Sequence, residues 1–500
     1  MERLSVNYQL PSVSSNKYQY LNSENDTIKY LTDFLQLNAK ENKDKPAIIF
    51  EDQNITWYQL WQKVESASRL VSKKLGADEQ KVVGLLLPNS IDFVISYLAI
   101  VHAGHIALPL DLSFKRLELE AIAHQMSPEL IITDNVYKSC LSNNPTRLIM
   151  VDELFDYNRL TGELLRISPE KQIASLTFTS GTTGVPKAAP YTHANHIWNI
   201  KTCSEVWNWT PKDTLLISLP LSHWYGIVMG LSGALYHGNT LYLQDWFDAK
   251  KTLKLLASGK ISFFTHVSSV YGKLLQMEGD YDLSKLRLCV SGASPLSPVV
   301  WQKFKDRFGV EITECYGSSE TGRIAGNTMS SRVPGSPGRV LPGVKLKLDS
   351  LGNVLVKSPG IFPGYFNNNQ ATLEGLTDDG YWKTSDIGEL DNGQLYLRGR
   401  KQEIIKKSGY TISPRDVEWA IYHCPDIDEV HIVGIQDSNQ PNDKIVCFIV
   451  GNISKNELQA YCRANLPHAW RPDKIVVIKE IPCVRSGKPQ LVALKNMAAV

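Results

Sequence analysis

Short apolar runs alternate with longer amphipathic stretches along most of the chain, and the alternation predicts parallel sheets with covering helices. Ile28 to Leu37 has helical spacing. Pro46 to Phe50 and Ile55 to Tyr58 read as short strands around a polar Glu-Asp-Gln-Asn turn. Val82 to Leu87 is a buried strand. Ser90 is placed to cap a helix carrying Ile91, Val94, Ile95, Leu98 and Val101 on one face, and Gly104 to end it. Ile106 to Leu110 and Leu130 to Thr133 read as strands, with Leu117 to Gln125 as the helix between them. After an apolar run at Ser175 to Phe178 the rhythm resumes. Helices are predicted from Thr192 to Trp207, Trp224 to Leu235, Ser269 to Gln276 and Ser297 to Phe308. Strands are predicted at Thr214 to Leu219, Thr240 to Leu243, Ile261 to Thr265, Leu286 to Val290 and Glu311 to Cys315. The expected architecture is two similar parallel-sheet halves.

The texture changes after Gly335, where prolines (Pro337, Pro342, Pro359, Pro363) and glycines separate short strands at Val344 to Leu348 and Val354 to Lys357. This predicts a small β-rich subdomain. Beyond Arg398, segments at Pro414 to His423, Glu429 to Val433, Lys444 to Val450, Lys455 to Asn465 and Lys474 to Ile478 alternate with charged loops. About one hundred residues suffice for a separate domain. The expected fold class is α/β, divided into a polar segment 1–25, a large N-terminal domain 26–399 and a mobile C-terminal α+β domain 400–500.

Composition narrows the function classes. The chain has 500 residues, 43% hydrophobic and 21% charged, with a net charge of +2. So even a balance gives no case for nucleic acid or an anionic membrane and points to small-molecule partners. The 8 cysteines are scattered without metal-ligand spacing and read as reduced thiols of a cytoplasmic protein. The pairs His102/His105 and His193/His196 lack nearby Cys or carboxylate ligands, so structural roles are expected. Residues 1–25 lack the apolar core of a signal peptide, and no apolar run is long enough for a membrane span.

Six stretches carry candidate chemistry. Thr179-Ser-Gly-Thr-Thr-Gly-Val-Pro-Lys187 combines glycines, hydroxyls and a lysine. Such a loop suits phosphate oxygens, and it reads equally well as a polar surface turn; its spacing is neither the Walker A nor the dinucleotide pattern. Pro220-Leu-Ser-His-Trp-Tyr-Gly226 places His223 and Tyr225 at a strand end, as pocket walls or as a packed helix start. Ser291-Gly-Ala-Ser-Pro-Leu296 has side chains small enough for a flat ring to lie on the backbone. Tyr316-Gly-Ser-Ser-Glu-Thr-Gly322 offers an aromatic face, close approach and a carboxylate for Mg2+. Asp386 suits a ribose diol, with Arg400 as a further donor. Lys488, taken alone, is a solvated charge on a flexible loop.

Taken together, in this order, these stretches resemble the adenylate-forming (ANL) superfamily, in particular the AMP-forming acyl- and aryl-CoA synthetases. Thr-Ser-Gly-Thr-Thr-Gly-x-Pro-Lys is the most specific element; Tyr-Gly-x-x-Glu and Gly-Arg-x-x-x-x-Ile-Lys (Gly399 to Lys406) support it, and the likeness spans Ile28 to Leu491. The resemblance implies that a carboxylic acid attacks the α-phosphate of ATP to give an acyl-adenylate, and that a thiol then displaces AMP. It implies that Thr179, Ser180, Gly181, Thr182, Thr183, Gly184 and Lys187 hold phosphates. Gly292, Ala293, Ser294 and Tyr316 would hold adenine, with Gly317 and Ser319 beside the nucleotide, and Asp386 and Arg400 would hold ribose. Lys488, Glu320 and His223 are the implied catalytic residues, with Glu320 also the Mg2+ ligand. His223, Tyr225, Met229, Gly317 and Ser318 would line the acid pocket. Gln402 would be the hinge of a rotating C-terminal domain, and Gly409 would border the thiol tunnel. Gln402 stands where the family has Asp or Lys, Ala188 and Ser385 where it has glycine, and Ser268 where a proline is common. The basic residue that usually follows Gly-Lys is missing from Lys488-Pro-Gln-Leu.

No acid follows the Pro220 stretch to pair a substrate amine, which disfavours an α-amino acid and leaves fatty and aromatic acids open. CoA is the first expected acceptor, because Ile404 to Glu418 looks more like CoA ligases than peptide-synthetase domains. An acyl or peptidyl carrier protein is the second. A non-catalytic nucleotide-binding relative is the reading from another class, disfavoured by the presence of Glu320, Asp386, Arg400 and Lys488.

Overall fold

The computed structural model describes residues 28–141, 146–154, 163–179, 186–436, 442–484 and 487–499. The segment 1–25 and the loop residues Ser180 to Gly184 lie outside them.

The strand–helix alternation forms because the central apolar runs are buried on both faces. Val82–Leu86 is buried throughout. The helix Ile91–Ala103 starts where Ser90 Oγ accepts from the Phe93 N–H at 3.0 Å and ends at left-handed Gly104. The first sheet has six strands, in the order Arg147–Met150, Leu130–Thr133, Val82–Leu86, Ile106–Pro109, Ile173–Phe178 and Ala188–Thr192. Its pairings are parallel except the last. The second sheet has a parallel block of six strands, in the order Ile312–Ser318, Leu288–Ser291, Phe263–His266, Thr214–Ile217, Thr240–Leu243 and Pro46–Phe50.

The β-rich region is not a detached sheet. Ile312–Ser318 continues antiparallel into Gly322–Gly326, and from there through Gly338–Val340 to the long pair Trp382–Asp391 and Gln394–Arg400. Hydrogen bonding is unbroken, so thirteen strands form one sheet. This continuity carries Asp386 and Arg400 to the same side as Tyr316.

Several elements depart from the expected pattern. Ile55 to Tyr58 is a strand only as far as Thr56, which caps the helix Trp57–Leu75 by a reciprocal exchange with Gln59. Ala249–Ala257 and Leu491–Ala499 are further helices that were not anticipated. The helix expected at Trp224 to Leu235 is π-helical over Gly226–Ser232.

From residue 405 the apolar contacts form separate clusters, one of them around Ile405, Val417, Ile432, Cys447, Leu458 and Ile475. A three-stranded sheet, Ile427–Ile435, Lys444–Gly451 and Lys474–Val477, packs against the helices Pro414–Tyr422 and Lys455–Asn465. A cleft of about 440 Å3 lies between this unit and the larger one, with Gln276 and Arg307 on one wall and Tyr422 and Asp428 on the other. Among the described residues no helix is long and apolar enough to cross a membrane.

Candidate active site

The Ser/Thr/Gly loop joins antiparallel strands rather than a strand to a helix. Ile173–Phe178 pairs with Ala188–Thr192, and the Thr179 N–H donates to the Lys187 carbonyl at 2.9 Å, closing the loop's neck. Lys187 Nζ stands 5.1 Å from the centre of the Tyr365 ring. Tyr365 Oη donates to Glu320 Oε1 at 2.9 Å, and Ser318 Oγ donates to Glu320 Oε2 at 2.7 Å. One tyrosine therefore links the loop lysine to the carboxylate of the Tyr-Gly-x-x-Glu stretch. Burial, reinforced by Glu320, pushes its phenol pKa up, so it stays a donor.

Parallel strands place their carboxyl-terminal loops side by side, and three such loops meet here. Ser268 Oγ and Ser294 Oγ are 2.7 Å apart, which ties the loop after Phe263–His266 to the one after Leu288–Ser291. Gly292 has no room for a side chain: a Cβ would lie 2.9 Å from Cys315 Sγ, 3.0 Å from Tyr225 Oη and 3.1 Å from Arg323 Nη1. Gly317 faces the Gly322 carbonyl across the next hairpin, and a Cβ there would lie 2.0 Å from that oxygen. Ser319 is half-buried at the turn of that hairpin.

Asp386 and Arg400 are direct cross-strand partners. Tyr316 Oη donates to Asp386 Oδ2 at 2.5 Å, and Arg400 Nε lies 3.4 Å from Oδ1. Burial raises the Asp386 pKa; Arg400 and the Tyr316 hydroxyl pull it back only in part. Ser385 is left-handed at φ 66°, which explains why a glycine suits this position.

Lys488 arrives from the opposite unit. It is half-buried, and its charged neighbours are Arg400, Glu320, Asp386 and Arg323. Burial, then Arg400, pull its pKa down to about 8 against the two carboxylates. Its loop is docked: Ser269 Oγ donates to the Gly487 carbonyl at 2.7 Å. Lys488 is thus not the solvated charge that its local sequence describes. Gln402 is exposed just past Arg400. Gly409 is exposed at the tip of the hairpin Ile405–Lys407/Tyr410–Ile412, with nothing within 4 Å of where a Cβ would sit.

His223 Nε2 is 2.9 Å from Asp111 Oδ2, and Ser222 Oγ donates to the same oxygen at 3.2 Å. Burial would raise the Asp111 pKa, but the His223 and Ser113 hydrogen bonds outweigh it and hold the carboxyl below its ordinary range. Tyr225 Oη shares a 2.6 Å hydrogen bond with Thr265 Oγ1. Met229 lies in the π-helical stretch, fully buried.

The structure thus gathers Lys187, Glu320, Tyr316, Asp386, Arg400 and Lys488, with Gly292 and Tyr225 adjoining. Four residues were not singled out from the sequence. Asp111 follows a buried strand directly, a signal that was available. Arg323 is a lone cation in the small and apolar strand Gly322–Gly326, a second available signal. Tyr365 and Ser269 carry no sequence signal. Among the described residues no cluster of three or more His, Cys, Asp or Glu side chains is arranged to hold a metal. Glu320 stands as a single carboxylate, which fits Mg2+ held chiefly by phosphate and water.

A family profile described as "AMP-binding enzyme" matches residues 35–366, and one described as "AMP-binding enzyme C-terminal domain" matches residues 416–488. A 2-succinylbenzoate–CoA ligase of Listeria monocytogenes is 30% identical over 483 residues, covering 93% of this chain and 99% of the relative. A long-chain-fatty-acid–CoA ligase of Bacillus subtilis is 28% identical, covering 92% of this chain and 93% of the relative. The crystal structure of ATP-bound MatB from Rhodopseudomonas palustris has the same fold, with a TM-score of 0.86 at 23% identity over 94% of this chain and 99% of that one. The chain belongs to the AMP-binding enzyme family, within the adenylate-forming superfamily.

Proposed function

We propose that this protein is an AMP-forming acid–CoA ligase. An oxygen of the acid's carboxylate attacks the α-phosphorus of ATP, the bond to the β-phosphate oxygen breaks and pyrophosphate leaves. The CoA thiolate sulfur then attacks the acyl carbon and AMP departs. The observation that carries this reading is the seating of Lys488 among Glu320, Asp386 and Arg400. A lysine from one unit facing the carboxylates of the other can neutralise charge between an attacking carboxylate and a phosphate.

The chain's residues divide the work. The loop from Thr179 to Lys187 would hold the departing phosphates, with Tyr365 fixing Lys187 against Glu320. Asp386, oriented by Tyr316 and Arg400, would accept from ribose hydroxyls. Gly292 to Ser294 would border adenine. Glu320 would ligate Mg2+, which when bound with the nucleotide neutralises phosphate charge. We place the hinge between domains 26–399 and 400–500 at Gln402, whose exposure leaves it free of packing constraints. Turning about it would replace Lys488 by the Gly409 hairpin for the thiol step. The two relatives named above differ in acid and share CoA in their names, which supports CoA as the acceptor.

The test is pyrophosphate exchange into ATP across a panel of aliphatic and aromatic acids, repeated with CoA and an AMP readout. Acid-dependent exchange, with AMP and thioester formed once CoA is added, is expected. Exchange without CoA turnover would move the acceptor to a carrier protein. Absence of exchange with every acid would overturn the ligase reading.

A further inference from the structure

Arg323 is the most deeply buried charge of the site. It is 1% exposed, on the strand Gly322–Gly326. Its Nε and Nη2 have no hydrogen-bond partner, and neither does the neighbouring Trp224 Nε1. The guanidinium is held between rings, 4.3 Å from the centre of Tyr225 and 5.3 Å from that of Trp224. The groups that act on it most are the Cys315 and Cys203 thiols and the Tyr225 phenol rather than any carboxylate.

Arg and Trp side-chain nitrogens only donate. A buried, fixed cation with unused donors is destabilising unless an acceptor of opposite charge completes it. A trapped water would accept hydrogen bonds but leave the charge uncompensated. Arg323 Nη1 would lie 3.1 Å from a Cβ on Gly292 of the adenine-side loop, Tyr225 and Trp224 come from the Pro220 stretch, and Arg323 lowers the Lys488 pKa from nearby. Arg323 therefore adjoins the Pro220 stretch on one side and Gly292 on the other, and its charge is felt at Lys488.

We infer that the acid activated here carries a second carboxylate, bound by Arg323 and the Trp224 N–H at the end remote from the reacting carboxylate. This deepens the ligase reading and rests on it. Arg323 touches substrate but no reacting atom, so it sets specificity. An arginine fork matched to a carboxylate gives a bidentate, charge-assisted contact, and a monoacid leaves the same donors unpaired. The pocket expected from sequence to suit an apolar acid thus acquires a charged floor.

The experiment compares the C3 to C6 α,ω-diacids and benzene-1,2-dicarboxylate with monoacids of the same skeleton, by pyrophosphate exchange, in the wild type and in Arg323→Met and Arg323→Lys. At least one diacid is expected to exceed its monoacid by about 100-fold in kcat/KM. Arg323→Met should abolish that preference, with kcat/KM for the diacid falling far more than kcat/KM for the monoacid, and Arg323→Lys should keep part of it. A second readout needs no turnover. Arg323→Met removes an uncompensated charge at similar volume and should melt at or above the wild-type temperature; the preferred diacid should raise the wild-type melting temperature and leave that of Arg323→Met unchanged. Monoacids equal to or better than diacids throughout, or a diacid preference that survives Arg323→Met, would overturn the inference and leave the ligase reading standing. No exchange with either class would bring down the ligase reading itself.

Discussion

Ser269 Oγ donates to the carbonyl oxygen of Gly487 at 2.7 Å, joining residues 218 positions apart. The donor lies in the first turn of the helix Ser268–Leu275, at the edge of the nucleotide-side loops, and the acceptor immediately precedes Lys488. This contact fixes the lysine loop against the larger unit. Gly487 takes φ 84°, and a Cβ there would lie 2.8 Å from Val267 Cγ2, so the loop's approach requires glycine.

Ser269→Ala removes that tether without touching substrate groups. One neutral hydrogen bond contributes about 0.5–1.5 kcal/mol. Pyrophosphate exchange should therefore fall by roughly 2- to 13-fold, while thioester formation from supplied acyl-adenylate and CoA stays unchanged. An equal fall in both half-reactions would contradict a role confined to the lysine-docked pose.

The lowered pKa of Lys488 gives a signed pH dependence. The protonated form is the useful cation, and burial with Arg400 lowers its pKa to about 8 from 10.5. The cation is present below that value and lost as pH rises through it. In kcat/KM for exchange, which reports the free enzyme, activity should decline on the alkaline side with a midpoint near 8. Lys488→Arg, whose guanidinium does not titrate there, should shift the decline upward. Because the unfolded lysine binds a proton up to higher pH, this group makes stability rise with pH between the two values. An alkaline limb identical in both proteins would refute the assignment.

Ser385 holds a left-handed conformation beside Asp386, and its carbonyl accepts from the Lys401 N–H at 3.0 Å. The Cβ clash costs about 1–2 kcal/mol, and glycine's greater unfolded-state entropy offsets roughly 0.5–1 kcal/mol of the relief. Ser385→Gly should stabilise by about 0–1.5 kcal/mol in thermal or urea melts, with pyrophosphate exchange retained. Destabilisation would mean that the serine hydroxyl has a structural role.

Much of the fold was legible because its central parallel strands are buried on both faces and several helices are marked by caps: Ser90 and Gly104 bound one helix, Thr192 starts another and Ser297 a third. The helix Trp57–Leu75 was obscured because Ile55, Thr56, Trp57 and Tyr58 are all β-prone, although Thr56 and Gln59 spell its capping box. Ala188–Thr192 was hidden by Pro190, tolerated because the strand lies at a sheet edge. Within the site, Tyr316, Glu320, Asp386 and Arg400 were legible as strand-end groups. Tyr365, Ser269 and the surroundings of Arg323 were not, because long-range packing sets their partners. The loop residues Ser180 to Gly184 stay an expectation from sequence.

In the proposed mechanism Lys488 serves acid activation from across the interface and is dispensable for the thiol step. Single-turnover measurements on Lys488→Ala separate the two. Loss of such a cation should slow acyl-adenylate formation from acid and ATP by at least about 100-fold, while acyl-adenylate supplied with CoA is converted to thioester near the wild-type rate and the melting temperature is maintained. Normal adenylate formation by Lys488→Ala, or equal loss of both steps, would rule out this role for Lys488.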